Sequence, residues 1–220
     1  EKASQGVEVR VIYDDVGCWH VPNRFFEEMR NAGIEVRSFL KVRFPLFTSR
    51  VNYRNHRKIV VIDGRIGFVG GMNLAERYMR GFSWGIWRDT HILIEGKAVH
   101  GLQTAFLLDW YFVDRTLITA SRYFPKIESC GSSLVQVVTS EPIGPWKEIM
   151  QGLTMAINGA KKYFYMQTPY FLPTEQVLAA MQTAALAGVD VRLMLPERAD
   201  NRITHLGSHS YLADVMQAGV

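Results

Sequence analysis

The stretch from His56 to Asn73 constrains this chain most, because it combines an alternating strand pattern with six polar or glycine positions at fixed spacing. His56, Lys58, Asp63, Gly70, Gly71 and Asn73 follow the order His-x-Lys, four spacers, Asp, six spacers, Gly-Gly-x-Asn. Ile59 to Ile62, then Asp63-Gly64, then Ile66, Phe68 and Val69 predict two buried strands joined by a tight hairpin. Side chains two apart on a strand share a face, so His56 and Lys58 point the same way. A neutral imidazole beside an ammonium suits attack on a phosphate: the amine holds a non-bridging oxygen while a ring nitrogen reaches the phosphorus. Asn73 supplies a neutral donor for the same oxygens. Asp63 has the opposite strand parity, which points to fixing the turn rather than touching substrate. The glycines at 64, 67, 70 and 71 lack the Gly-x-x-x-x-Gly-Lys-Ser/Thr order of a nucleotide phosphate loop.

The rest of the chain alternates strands with helices and predicts an α/β architecture. Strands are expected over Val7 to Tyr13, Ile34 to Phe39, Ile92 to Ile94, Leu134 to Thr139, Tyr163 to Gln167 and Val189 to Leu195. Helices are expected over Asn23 to Ala32, Gly101 to Val113 and Thr174 to Ala187. Two echoes suggest duplication. Gly6-Val-Glu-Val-Arg returns as Gly188-Val-Asp-Val-Arg at an offset of 182, and Met29-Arg-Asn-Ala-Gly-Ile as Val215-Met-Gln-Ala-Gly-Val at an offset of 186. Projecting His56 by the second offset passes the last residue, so the later copy is expected without its own histidine motif. The small-residue run Ser129-Cys130-Gly131-Ser132-Ser133 marks the expected boundary, with domains over residues 1–130 and 131–220. The expectation is two partial domains in sequence order rather than one permuted domain.

With 48% hydrophobic residues, 220 positions allow a sizeable core. Cys18 and Cys130 make neither a disulfide scaffold nor a metal-ligand spacing. His205 and His209 can share a helix face, but no glutamate follows His205 as in zinc proteases, so no metal site is expected. No apolar run reaches the ~20 residues of a membrane-spanning helix. The net charge of +4 is unevenly spread: Arg37, Lys41, Arg43, Arg50, Arg54, Arg57 and Lys58 lie in a segment without an acidic residue. Phe39, Phe44, Phe47 and Tyr53 are interleaved with them. An anionic lipid surface, a nucleic acid and a solvated loop over buried aromatics are three readings of that segment.

The His/Lys/Asp set resembles the motif of the phospholipase D superfamily, and within it the bacterial cardiolipin synthases. The closer likeness lies in Asn52-Tyr53-Arg54-Asn55, Trp87-Arg88-Asp89-Thr90-His91, Asp109-Trp110, Gln167-Thr168-Pro169-Tyr170-Phe171 and Ala199-Asp200-Asn201. The resemblance implies a duplicated α-β-α sandwich with both copies incomplete here. It implies His56 as the catalytic histidine, Lys58 and Asn73 as phosphate ligands and Asp63 as structural. It also implies a carboxylate that orients the histidine from a downstream strand. Asp89, 33 positions after His56, is the candidate, against a pairing with Arg88 or a neighbouring loop. The implied reaction is transfer of a phosphatidyl group between two phosphatidylglycerols, giving cardiolipin and glycerol through phosphohistidine, with no cofactor or metal. The implied partners are anionic phospholipid and the membrane surface, and the implied location is the inner membrane, cytoplasmic and membrane-associated. Nucleic acid is not the expected partner. The family mechanism uses two motifs face to face, so a chain with one is expected to be inactive unless it self-associates. A phospholipase D or nuclease of the superfamily, and a non-catalytic anionic-lipid-binding module, are the alternatives.

Overall fold

The computed structural model describes residues 1–41, 53–128, 130–141, 144–198 and 200–220. Arg43, Phe44, Phe47, Arg50, Asn52, Ser129 and Ala199 of the motifs named above lie outside the described residues. The chain forms two compact units, Glu1–Val137 and Val138–Val220, both mixed α/β.

The first unit opens with β1 (Arg10–Asp14), α1 (Asn23–Asn31) and β2 (Glu35–Phe39), in which β1 and β2 pair in parallel with Arg10 opposite Glu35. Parallel neighbours need a crossover, and α1 supplies it, stacking Phe26 on Tyr13 at a centroid distance of 4.0 Å. The motif then builds an antiparallel sheet of β3 (Ile59–Ile62), β4 (Ile66–Gly70) and β5 (His91–Glu95), with β4 in the centre. The short helix α2 (Arg77–Arg80) lies between β4 and β5. One long helix, α3 (Val99–Asp114), packs against β2, β3 and β4 and buries Val99, Leu102, Ala105, Leu107 and Trp110. Gly67 makes that packing close, since a Cβ there would sit 2.7 Å from Leu102 Cδ1.

The hairpin forms as the sequence predicts. Asp63 (φ 53°) and Gly64 (φ 64°) both take left-handed backbone, and Arg65 N–H donates to the Ile62 carbonyl at 3.0 Å, which makes a type I′ turn. The expectation of two buried strands is corrected for β3. Ile59 and Val61 are partly covered, whereas Val60 and Ile62 are 47% and 46% exposed. An antiparallel sheet can bury one face only, and here α3 takes the odd-numbered side of β3.

The second unit contains α4 (Glu148–Gly159), β6 (Tyr163–Gln167), α5 (Glu175–Leu186), β7 (Asp190–Met194), α6 (Arg202–Ser210) and α7 (Leu212–Gln217). Strands β6 and β7 are parallel and α5 is their crossover. Along α5, Val177, Ala180, Met181 and Ala184 recur at helical spacing and enter a core with Ile157, Phe171, Val191 and Val215. Thr174 caps its start, accepting from Val177 N–H at 3.4 Å, and Gly188 (φ 88°) follows its end. The two echoed segments take like local structures. Arg10–Asp14 and Asp190–Met194 are strands, while Gly33 and Gly219 are left-handed residues just past helix ends, with Ile34 N–H bonded to the Met29 carbonyl and Val220 N–H to the Val215 carbonyl, both at 3.1 Å.

Leu134 to Thr139 is not a strand. The segment has the apolar alternation, but it joins no sheet among the described residues, and Leu134, Val135 and Val138 are exposed. Strand preference is a preference for packing on a pleated neighbour, and the alternation alone does not supply one.

Candidate active site

Segment 55–58 leads directly into β3, and its odd-numbered and even-numbered side chains have different partners. On the odd face, Asn55 Nδ2 donates to Asp109 Oδ2 of α3 at 2.9 Å, and Arg57 forms a short ion pair with Asp109 Oδ1. Asn55 Oδ1 also accepts from Arg57 N–H at 2.9 Å. Asp109 thus ties both neighbours of His56 to the helix that covers Ile59 and Val61, which leaves His56 and Lys58 to the opposite, open face. A second carboxylate grips the approach. Asp14, at the end of β1, accepts from Arg54 Nε and Nη2 at 3.0 and 2.9 Å, from Asn55 N–H at 3.0 Å and from Gly17 N–H at 2.6 Å. Both carboxylates are largely buried, with 14% and 13% side-chain exposure for Asp14 and Asp109, so loss of either leaves charged or polar donors poorly solvated.

On the open face, Lys58 Nζ lies 3.1 Å from His56 Nδ1 and donates to the His56 carbonyl at 2.7 Å. Loss of hydration lowers the His56 pKa below its usual 6.5, and the positive charges of Lys58 and then Arg54 push it the same way, against Asp14. The ring is therefore neutral at neutral pH. Lys58 is lowered too, first by burial, while the carboxylates of Asp14 and Asp89 favour its charged form. With Lys58 as an ammonium donor, Nδ1 is the acceptor nitrogen and the ring proton sits on Nε2.

Asp89 stands in the segment before β5, and its Oδ1 accepts from Thr90 N–H at 2.6 Å. Among the described residues it makes no hydrogen bond with His56; its field acts on Lys58. The glycine pair of the motif makes room for this segment. A Cβ on Gly71 would run into the Asp89 carboxylate, and one on Gly70 would meet the Thr90 carbonyl and His91 Cα. Asn73 Nδ2 donates to the Tyr78 hydroxyl at 3.2 Å, and among the described residues no hydrogen bond joins it to His56 or Lys58. Asp63 is exposed at the turn. The structure therefore brings His56 and Lys58 into contact, sets Asp89 beside Gly71, and keeps Asp63 in the hairpin. Asp14 and the clamping action of Asp109 went unread in the sequence, because their partners lie 40 to 54 residues away along the chain.

The described arginines of the basic segment have acidic partners. Arg37 pairs with Asp114 at 2.5 Å, Arg54 with Asp14 at 2.9 Å, and Arg57 with Asp109, all three acids coming from outside the segment. Its described arginines are thus neutralised in space, although no acid stands among them in sequence.

In the second unit, Tyr170 OH donates to Asp200 Oδ1 at 2.6 Å, linking two of the family-like stretches. Asn201 Oδ1 accepts from Ile203 N–H and Thr204 N–H and caps α6. His205 and His209 share a face of α6, with ring centroids 4.2 Å apart. Cys18 and Cys130 are free thiols. Among the described residues no helix is long and apolar enough to cross a membrane.

The described site is thus an α/β scaffold that holds a neutral histidine against a lysine on one open sheet face. Residues 1–110 and 153–220 match the family model described as "Cardiolipin synthase, PLD-like domain", and the chain belongs to that family. Cardiolipin synthase of Geobacillus thermodenitrificans is 44% identical over 223 residues, covering 100% of this chain and 44% of that protein. Cardiolipin synthase of Listeria innocua is 40% identical over 99% of this chain and 46% of its own. Cardiolipin synthase 2 of Bacillus cereus is 41% identical over 100% and 43%. The chain thus spans about half the length of the curated relatives it matches. Among solved structures, polyphosphate kinase from Porphyromonas gingivalis aligns over 91% of this chain and 31% of its own, at a TM-score of 0.49 and 16% identity, a likeness too slight to carry an argument.

Proposed function

We propose that this chain is the part of a cardiolipin-forming phosphatidyltransferase that supplies its phosphohistidine. The observation that carries the reading is the His56–Lys58 contact on an open face, in a chain about 40–44% identical to proteins named cardiolipin synthase. Lys58 would take a non-bridging oxygen of phosphatidylglycerol, aided by Asn73 once Tyr78 releases it. Transfer of the Lys58 proton donor from Nδ1 to the phosphate frees Nδ1 to carry the ring proton, and Nε2 is then unprotonated and able to attack. A nitrogen–phosphorus bond forms as the bond from phosphorus to the glycerol oxygen breaks, and that oxygen takes its proton from the imidazolium of a second histidine motif. In the second half, the free hydroxyl of another phosphatidylglycerol attacks phosphorus, returns a proton to that second histidine and releases His56 as the nitrogen–phosphorus bond breaks.

One phosphodiester is exchanged for another, so the balance needs no nucleotide or metal. What it needs is a lipid alcohol in place of water at the second step. Asp89 is assigned to keeping Lys58 charged, and Asp63 to the turn that ends β3. The natural partner is an anionic phospholipid at a membrane surface, with the inner membrane as the expected place of work. Self-association supplies a second histidine where only one motif is present.

The test is to incubate the chain with phosphatidylglycerol vesicles over a range of protein concentrations and measure cardiolipin, glycerol and phosphatidic acid by mass spectrometry. Cardiolipin and glycerol that vanish in His56→Ala are the expected result. Phosphatidic acid as the main product would show water as acceptor and replace this reading with a phospholipase D. Vesicle binding with no phosphoryl adduct on His56 would reduce the chain to a lipid-binding module.

A further inference from the structure

The segment between β4 and β5 carries a surface that the chemistry above does not use. Its roots are Asn73 and Asp89; between them Leu74, Met79 and Ile86 are 102%, 82% and 91% exposed and Phe82 and Trp84 are also open, as is Met72 just before Asn73. Single exposed apolar residues are ordinary, but six within 15 positions, beside the histidine motif, make a patch.

The segment is braced from within. Phe82 and Gly85 exchange backbone hydrogen bonds of 2.8 and 3.1 Å, closing a tight turn. Phe82 stacks on Trp84 at 5.1 Å and meets Trp87 edge-on at 5.4 Å, and Tyr78 meets Trp87 at 5.8 Å. The Arg77 guanidinium lies 5.2 and 5.4 Å from the Tyr78 and Trp87 ring centres, with no carboxylate partner among the described residues. Arg80 pairs with Glu76 at 3.0 Å, the sole acid between Asn73 and Asp89, whereas Arg77, Arg80 and Arg88 are all basic. The lobe therefore presents aliphatic tips, a stacked aromatic girdle and surplus positive charge. Aliphatic side chains favour the acyl region, aromatic rings the headgroup boundary, and arginine the phosphates, so one occupant satisfies all three.

We infer that residues 72–88 form a preformed lobe that inserts Leu74, Met79, Trp84 and Ile86 into an anionic phospholipid surface, with Arg77 at its phosphates. The inference rests on the functional reading in one respect, that insertion brings the roots of the lobe, Asn73 and Asp89, to the headgroups.

The decisive experiment is quenching of Trp84 by phosphatidylglycerol vesicles with brominated acyl chains, Trp84→Phe being subtracted to remove the other four tryptophans. In parallel, flotation compares the unaltered chain with Leu74→Ser/Met79→Ser/Ile86→Ser on phosphatidylglycerol and phosphatidylcholine vesicles. The expected result is quenching of Trp84, a loss of partition of about tenfold or more in the triple variant, and weaker binding to phosphatidylcholine. An unquenched Trp84, or unchanged partition in a folded triple variant, overturns the lobe as the insertion site; quenching in the unaltered chain still decides the matter if the variant fails to fold. Equal binding to both lipids overturns the choice of an anionic surface. Covalent labelling of His56 by monomeric short-chain phosphatidylglycerol separates the two readings. Label without quenching removes the lobe alone, and quenching without label removes the phosphohistidine alone.

Discussion

The imidazole of His56 is tuned by what surrounds it more than by the residue itself. Its pKa is held below 6.5 first by lost hydration and then by Lys58 and Arg54, with Asp14 opposing. Between that lowered value and 6.5 the unfolded chain binds a proton that the folded chain does not, so the stability that His56 contributes is lost as pH falls through this window and is full above it. Two substitutions should move the titration in opposite directions. Lys58→Met removes a repelling charge and raises the His56 pKa towards 6.5, and Asp14→Asn removes the attracting one and lowers it further. Carbon-detected NMR of the His56 ring over pH reads both. Shifts of the same sign would mean that these charges do not set the histidine. The pair His56 and Lys58 was legible from spacing alone, since two-residue parity on a strand is a local property. The clamps were not: Asp14 and Asp109 reach Asn55 across 41 and 54 residues, and no local pattern records which distant carboxylate a fold will bring to an arginine.

Strands β3 and β4 show how an element's turn can specify its register. A type I′ turn asks for left-handed backbone at two successive residues, and Asp-Gly is suited to it. A Cβ on Gly64 would lie 2.6 Å from the Tyr123 carbonyl oxygen as well as forcing strain at φ 64°. Gly64→Ala should therefore cost about 2–4 kcal/mol in urea denaturation, while Asp63→Gly stays within about 0.5 kcal/mol and leaves the His56 resonances in place. A large loss in Asp63→Gly would assign its carboxylate a part beyond the turn. The strongly patterned elements were readable for the same local reason: Tyr163–Gln167 has the predicted bounds, and α5 lies within the predicted Thr174 to Ala187. Leu134 to Thr139 was misread because alternation describes a residue's readiness for a sheet, and a sheet also needs a neighbour. Burial of β3 was misread likewise, since its apolar run fits two covered faces and the fold covers one.

At the scale of the whole chain, one histidine motif meets a proposed reaction that needs both a nucleophile and an acid. Phosphorus transfer to His56 asks the leaving oxygen to depart, and a glycerol alkoxide is a poor leaving group unless something protonates it in the transition state. Of the groups around the His56 segment, Lys58 is assigned to the phosphate oxygens in the proposed reaction, and Asp14 and Asp109 are held by Arg54, Asn55 and Arg57. A nitrophenyl phosphodiester needs no such acid, because nitrophenolate leaves unaided. We therefore expect a burst of nitrophenolate of about one equivalent per chain, independent of protein concentration and absent in His56→Ala. With phosphatidylglycerol, by contrast, the rate per chain should rise with protein concentration if a second copy donates the proton. A glycerol-releasing rate per chain that stays constant on dilution would show that the acid resides within this chain, and would direct the search to the remaining histidines.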